Sequence, residues 1–387
     1  MDLDRDLKLL PHLKSLTMKR GPRSVRRRRR PLPPQLPDND DILAEILLRL
    51  PPQPSSLPRA SLVCKRWHRI VTDRNFVGRF RAHHGTPPVL GYFRPSGRFF
   101  NTQEPPDRVP TSRFSLRRWR RRGSWSMFGS RHGLVLYGIW DNFGFVSEFM
   151  VVDPMTGDRS RIVNPHAHSM TTLVTAVVVS LAGGIDRRSF RLAMLFSHDY
   201  QPRVTASVYS SESGVWSASV ATLVLPLSYS YFIYHPSTLV GNAVYWLLFE
   251  GLIIQFDLER HSLAMIEQPP AANVGSEMER HIVTAEEGRL GFALLSEFSI
   301  QLWEREVEPN YNAAEWVLHR TIQLEKVLSI KPKDHVKCLL RIMGFCEESN
   351  VIFINACHGV FAIHLKSMQF RKMKRRGAFH IHPYSSF

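Results

Sequence analysis

Between residues 38 and 80 apolar side chains recur at spacings of three and four. Ile42, Leu43, Ile46, Leu47 and Leu50 fall on one face of a helix. Asp38 or Asn39 is placed to cap it, and Asp40 and Asp41 lie near the positive end of its dipole. Pro51-Pro52 ends it, because proline lacks an N–H and restricts the residue before it. A proline-rich elbow follows. The pattern then predicts a second helix, capped by Ser55 or Ser56, with a stripe of Ala60, Val63, Cys64, Trp67, Ile70 and Val71. A third short helix starts at Asp73, with Phe76 and Phe80 one turn apart. These stripes suit a helical subdomain packed on the rest of the chain. They equally suit a docking unit, because they hold more apolar surface than so small a unit buries alone.

After Gly85-Thr86-Pro87-Pro88 the helical period gives way to short β-rich runs bounded by Gly, Asp, Ser or Pro. Five units repeat a strand, a turn and a second strand. Gly133–Tyr137 leads to Phe149–Gly157, Phe190–Phe196 to Ala206–Trp216, and Asn242–Leu247 to Ile253–Leu258. Arg289–Leu295 leads to Ser299–Trp303, and Asn350–Ile354 to Gly359–Leu365. Val152, Val208, Phe256, Trp303 and Ile363 mark equivalent points, 56, 48, 47 and 60 residues apart. A period near fifty built of short strands suits a kelch-like β-propeller blade. Val89 to Phe100 supplies a sixth blade, closed by the C-terminus. The expected fold class is therefore multidomain α plus all-β, a small helical domain before a β-propeller-like domain of six to eight blades. A pair of β-sandwiches is the alternative.

Charge is uneven along the 387 residues. The net formal charge is +17, yet residues 1–36 carry +8, residues 107–131 carry +7 and residues 371–376 carry +5. The remainder is therefore slightly acidic. Arg26 to Arg30 form a like-charge block expected to be disordered, either a nuclear import signal or a solvated tail. Arg117-Arg118-Trp119-Arg120-Arg121-Arg122 reads as an exposed Arg-rich loop within 107–131. No helix-turn-helix, zinc-finger or single-strand-binding signature accompanies the charge, which weighs against specific nucleic-acid recognition. No apolar run approaches the ~20 residues that cross a bilayer, and the richest, Leu173–Leu181, reads as a strand.

Catalytic and cofactor signatures are missing. There is no Gly-x-Ser-x-Gly elbow and no His-Glu-x-x-His, and Gly183-Gly184 lacks the lysine and helix of a phosphate loop. Asp153, Asp158 and Asp257 sit in turns, where Asp bonds its own backbone. Cys64, Cys338, Cys346 and Cys357 suggest no disulfide framework and suit a reducing compartment. The spacings of Cys338, Cys346 and Cys357-His358 are not those of a zinc knuckle, so buried thiols are expected. His83-His84 and His380-x-His382 show no third ligand, and the tryptophans read as blade core. No catalytic residue, metal ligand or cofactor is expected.

Residues 36–80 resemble an F-box. The family pattern is matched by Leu36-Pro37, Glu45-Ile46-Leu47, Leu50-Pro51, Val63-Cys64-Lys65 and Trp67 at the right spacing. The elbow from Pro51 to Arg59 is similar to that of grass-type plant F-box proteins. Arg131-His132-Gly133-Leu134-Val135-Leu136 and Asp153-Pro154-x-Thr156-Gly157-Asp158 resemble the F-box-associated region of the same proteins. The resemblance implies docking to a Skp-family adaptor, and through it a cullin, as the substrate-receptor subunit of an SCF-type ubiquitin ligase. It implies a non-catalytic role: the propeller holds an unknown protein substrate near ubiquitin carried by other subunits. By matching positions, Leu36, Pro37, Ile42, Ile46, Leu47, Leu50, Pro51, Leu57, Val63, Cys64, Trp67 and Ile70 form or support the docking surface. The expected domains are a basic tail over 1–35, the F-box over 36–84 and the propeller-like domain over 85–387. The expected location is nucleus, cytoplasm or both. A nucleic-acid-associated β-repeat protein is the alternative reading, and an enzyme on a propeller scaffold has the least behind it.

Overall fold

A computed structural model describes residues 39–387, except 116–123, 168–170, 182–188, 199–201, 218–219, 227–235, 249–250, 274–278, 308–313, 329–338, 358 and 374–379. The basic tail over 1–35, the cluster Arg117–Arg122, Gly183-Gly184 and Cys338 lie outside the described residues.

The helical part opens with α1, Asp40–Leu48. Its cap is Asn39, whose Oδ1 accepts the Asp41 N–H at 2.7 Å. At its end the Arg49 and Leu50 N–H groups donate to carbonyls three residues back, tightening the turn before Pro51. The sequence predicts one helix from Ser55 through Val71. The chain instead makes two, α2 (Ser56–Ser61) and α3 (Lys65–Thr72). The break comes where the Ser61 hydroxyl donates back to the Pro58 carbonyl at 2.6 Å and Cys64 turns extended, with φ −163° and ψ 167°. The elbow takes three residues, close to one turn, so the 3.6-residue period runs through it undetected. The fourth helix, α4 (Arg74–His84), starts at Asp73, whose carboxylate accepts the Phe76 N–H at 3.0 Å, and stops at Gly85 with φ 66°. Phe76 and Phe80 are buried with ring centroids 6.3 Å apart. The His84 ring nitrogen lies 3.0 Å from the Leu48 carbonyl, which ties α4 to the end of α1.

Six antiparallel sheets follow. Strands β3–β6 (Ser124–Arg131, Leu134–Trp140, Val146–Val152, Arg159–Val163) make one. Strands β7–β11 (Thr171–Ser180, Phe190–His198, Arg203–Ser210, Val215–Trp216, Ala221–Val224) make the next. Then come β12–β15 (Thr238–Val240, Ala243–Leu247, Leu252–Asp257, Ser262–Glu267) and β16–β19 (Arg280–Thr284, Leu290–Ser296, Ser299–Val307, Ala314–Gln323). The fifth in chain order is β20–β23 (Arg341–Cys346, Val351–Ala356, Gly359–His364, Phe370–Lys372). The sixth joins the two ends of the domain: β1 (Val89–Phe93) pairs on one side with β2 (Phe99–Asn101) and on the other with β24 (His382–Ser385).

This is a six-bladed β-propeller. The inner strands β3, β7, β12, β16, β20 and β24 line its axis, with β24 packed between β20 and β3. A buried apolar cluster fills each junction between neighbouring blades. Phe93, Phe99 and Tyr384 pack on Met127, Val135 and Tyr137, while Tyr92, Phe100 and Ile381 pack on Met343 and Phe353. A pair of sandwiches would not produce such a ring. The five marker positions Val152, Val208, Phe256, Trp303 and Ile363 all fall in third strands. Parts of the Arg-rich loop expected over 107–131 form regular structure instead. Thr111–Phe114 forms a 3-10 turn that buries Phe114, and Ser124–Arg131 is an inner strand whose last residue, Arg131, is buried.

Candidate docking surface

Exposure divides the twelve expected docking residues. Leu36 and Pro37 lie outside the described residues. Leu47 is 1% exposed and Ile70 is 8%, so both hold the helices together and present nothing to a partner. Leu50, Leu57 and Trp67 are half-buried. Ile42 and Ile46, one turn apart on α1, are 52% and 46% exposed, and Val63 in the α2–α3 elbow is 57% exposed. Pro51 and Cys64 are also exposed. Direct contact is therefore open to Ile42, Ile46, Pro51, Val63 and Cys64, with the half-buried residues supporting them.

Leu62 is the residue that periodicity missed. It is 84% exposed, more than any other large apolar side chain among the described residues. On a continuous helix it would lie off the stripe. The elbow turns it outward, because the Leu62 and Val63 N–H groups bond to the Arg59 and Ala60 carbonyls and close the last turn of α2. The only trace in the sequence is the adjacency of Leu62 and Val63, which a broken helix would expose together. Around these side chains the Glu45 carboxylate pairs with Arg79 across α1 and α4, an exposed ion pair of small energetic weight.

The propeller axis holds a second group of polar residues. The buried Arg131 guanidinium at the end of β3 pairs with Glu347, just after β20, and donates to the Ser237 carbonyl at 3.0 Å, just before β12. Glu347 also accepts the Leu239 N–H at 2.6 Å. His132 donates its N–H to Glu348, and its Nδ1 accepts the Ser180 N–H at 3.2 Å. The Arg131-His132 pair thus links four blades at one end of the axis. Burial pushes the His281 and His382 rings down to about 4, with His380 adding to both, and burial does the same to His380. Burial likewise pushes the Cys346 thiol up to about 12. Among the described residues no three His, Cys, Asp or Glu side chains are grouped to hold a metal ion. Asp153 and Asp257 accept backbone N–H groups two and three residues on, which makes them turn formers.

Comparison with known proteins agrees with this architecture. An F-box domain model matches residues 35–77, and the model described as the β-propeller of F-box proteins like AT5G49610 matches residues 126–386. The chain is thus a plant-type F-box protein, with a small helical F-box ahead of a β-propeller. It belongs to the family of F-box proteins whose propeller is like that of AT5G49610. "F-box protein At5g49610" of Arabidopsis thaliana is 22% identical over 346 residues, covering 86% of this chain and 90% of that protein. Among solved structures, the WD40 domain of SCAP from fission yeast aligns at 10% identity and TM-score 0.35, over 65% of this chain and 55% of that one. BamB from Moraxella catarrhalis aligns at 12% and 0.32, over 63% and 62%. The chain spans less than two thirds of either structure. None of the helices among the described residues is long and apolar enough to cross a membrane.

Proposed function

We propose that this chain is the substrate-receptor subunit of an SCF-type cullin ubiquitin ligase. Its F-box docks to a Skp-family adaptor and its propeller recruits a protein target. The observation that carries the reading is the set of exposed apolar side chains on F-box helices, Ile42 and Ile46 on α1 and Leu62 and Val63 in the elbow. Large apolar side chains left in water on so small a helical unit suit a surface that a partner covers. The F-box match over residues 35–77 supports an adaptor of this class as that partner. In this reading the chain performs no bond-making step. It raises the effective concentration of a target near ubiquitin held by other subunits. The basic block Arg26–Arg30 serves as a nuclear import signal, giving a protein shared between nucleus and cytoplasm.

Co-purification with a Skp-family adaptor tests the docking step. Ile46→Asp combined with Leu62→Asp is expected to abolish capture while the protein stays folded. Undiminished capture by the folded double variant overturns the mechanism. For import, deleting residues 1–35 from a fluorescently tagged chain is expected to leave it cytoplasmic, and persistent nuclear signal disposes of that role.

A further inference from the structure

The elbow between α2 and α3 carries charge as well as apolar surface. Residues 46–72 hold five Lys or Arg and no Asp or Glu. Of these cations Arg49, Arg59, Lys65 and Arg69 are exposed. Leu62 keeps helical dihedrals, φ −84° and ψ −9°, and its N–H bonds to the Arg59 carbonyl, so Arg59 lies one turn before it on the same face. Lys65 and Arg69 are likewise one turn apart on α3, beginning two residues beyond Val63. The exposed apolar pair, Leu62 at 84% and Val63 at 57%, thus has cations before and after it.

The carboxylates that border this segment are engaged elsewhere. Glu45 pairs with Arg79 on α4. Asp73 accepts the Phe76 N–H at 3.0 Å, and Asp107 accepts the Ser55 N–H at 3.2 Å, just before α2. Charge around an apolar contact surface governs partner choice and the rate of encounter more than the strength of the final contact. A nucleic-acid backbone would take the cations and leave Leu62 and Val63 in water. A protein surface with an apolar hollow and a rim of carboxylates takes both.

We infer that the adaptor face covering this elbow is acidic. Carboxylates ring the hollow that takes Leu62 and Val63, and they meet Arg59, Lys65 and Arg69. The cations steer the encounter, and the apolar pair holds the complex once it has formed. The inference rests on the ligase reading, and it adds the chemistry of the adaptor face to it.

The test measures association and dissociation rates of the full chain with a Skp-family adaptor by surface plasmon resonance. The association rate is expected to fall about tenfold as salt rises from about 50 mM to about 500 mM, with the dissociation rate nearly constant. The triple variant Arg59→Glu, Lys65→Glu, Arg69→Glu is expected to associate about tenfold or more slowly at low salt, with a flattened salt dependence and an unchanged melting temperature. The charge-keeping set Arg59→Lys, Lys65→Arg, Arg69→Lys is expected to associate at the wild-type rate. Leu62→Ala is expected to speed dissociation and leave the salt dependence in place. Association that ignores salt, or that is unchanged in the folded charge-reversed variant, overturns the inference while the ligase reading stands. No adaptor binding by the wild-type chain at any salt overturns the ligase reading, and the inference with it. Mixed-sequence duplex DNA that binds as tightly as the adaptor and competes with it assigns the cations to nucleic acid and overturns the inference.

Discussion

Leu47 and Ile46 are neighbours with opposite duties, one 1% exposed and the other 46%. Leu47→Ala removes buried methyl groups and leaves a cavity, so it is expected to cost about 2–5 kcal/mol in chemical denaturation. Ile46→Asp is expected to leave that stability nearly unchanged and, if α1 docks as proposed, to weaken adaptor capture by at least about tenfold, since a charge would then face the proposed apolar interface. The cysteines divide in the same way. Cys64 is exposed, whereas burial holds the Cys346 thiol near 12. Iodoacetamide at mildly alkaline pH is expected to label Cys64 and spare Cys346 in peptide mass spectrometry, and bound adaptor is expected to protect Cys64.

At the scale of elements, the joining blade carries the fold's topological weight. Strand β1 lies between β2 and β24, so its pairing holds both ends of the propeller in one sheet. Gly91 within β1 has no room for a side chain. An added Cβ would lie 2.3 Å from the Phe100 carbonyl oxygen and from the Phe99 ring. Gly91→Ala is therefore expected to destabilise the propeller by roughly 1–3 kcal/mol, through forced separation of β1 from β2. Differential scanning calorimetry and amide exchange in β1 and β24 measure this. An unchanged exchange pattern in both strands would show that the blade tolerates the side chain. The α2–α3 elbow is the corresponding feature of the F-box, because the three residues between the helices set Leu62 and Val63 in water.

Across the whole molecule, buried polar groups on the propeller axis link elements far apart in the chain. Arg131 and Glu347 are 216 residues apart and mostly buried. Arg131→Met leaves the Glu347 carboxylate without its cation and is expected to cost about 3–5 kcal/mol, with Arg131→Met, Glu347→Leu recovering part of it in the same denaturation assay. The recovery is incomplete because the Leu239 N–H also loses its acceptor. Acid acts on the same region. His281 and His382 are neutral in the fold, held near 4 against an ordinary 6.5. The unfolded chain binds their protons first, so their contribution is fully present above about 6.5 and is lost as pH falls toward 4. The melting temperature is expected to drop across that window. Replacing both histidines by Gln is expected to flatten the drop, and an unchanged profile would place the acid sensitivity elsewhere.

Read alone, the sequence carries what depends on local period and spacing. Helices α1 and α4, the second and third strands of five blades, and the family of both domains are legible because apolar spacing and short turn signals encode them directly. Inner strands such as Arg280–Thr284 escape that pattern, since their residues face neighbouring blades and the axis and need not alternate. Tertiary structure decides the rest. It separates Leu47 from Ile46 by packing, breaks the second helix to expose Leu62, and pairs Arg131 with Glu347 across the ring. It also sets the blade count at six, because β1 and β24 bring the two ends of the propeller domain together in one sheet. Val89 to Phe100 and the C-terminus are legible as candidates for that closing blade, but their register is a long-range pairing that no local period records.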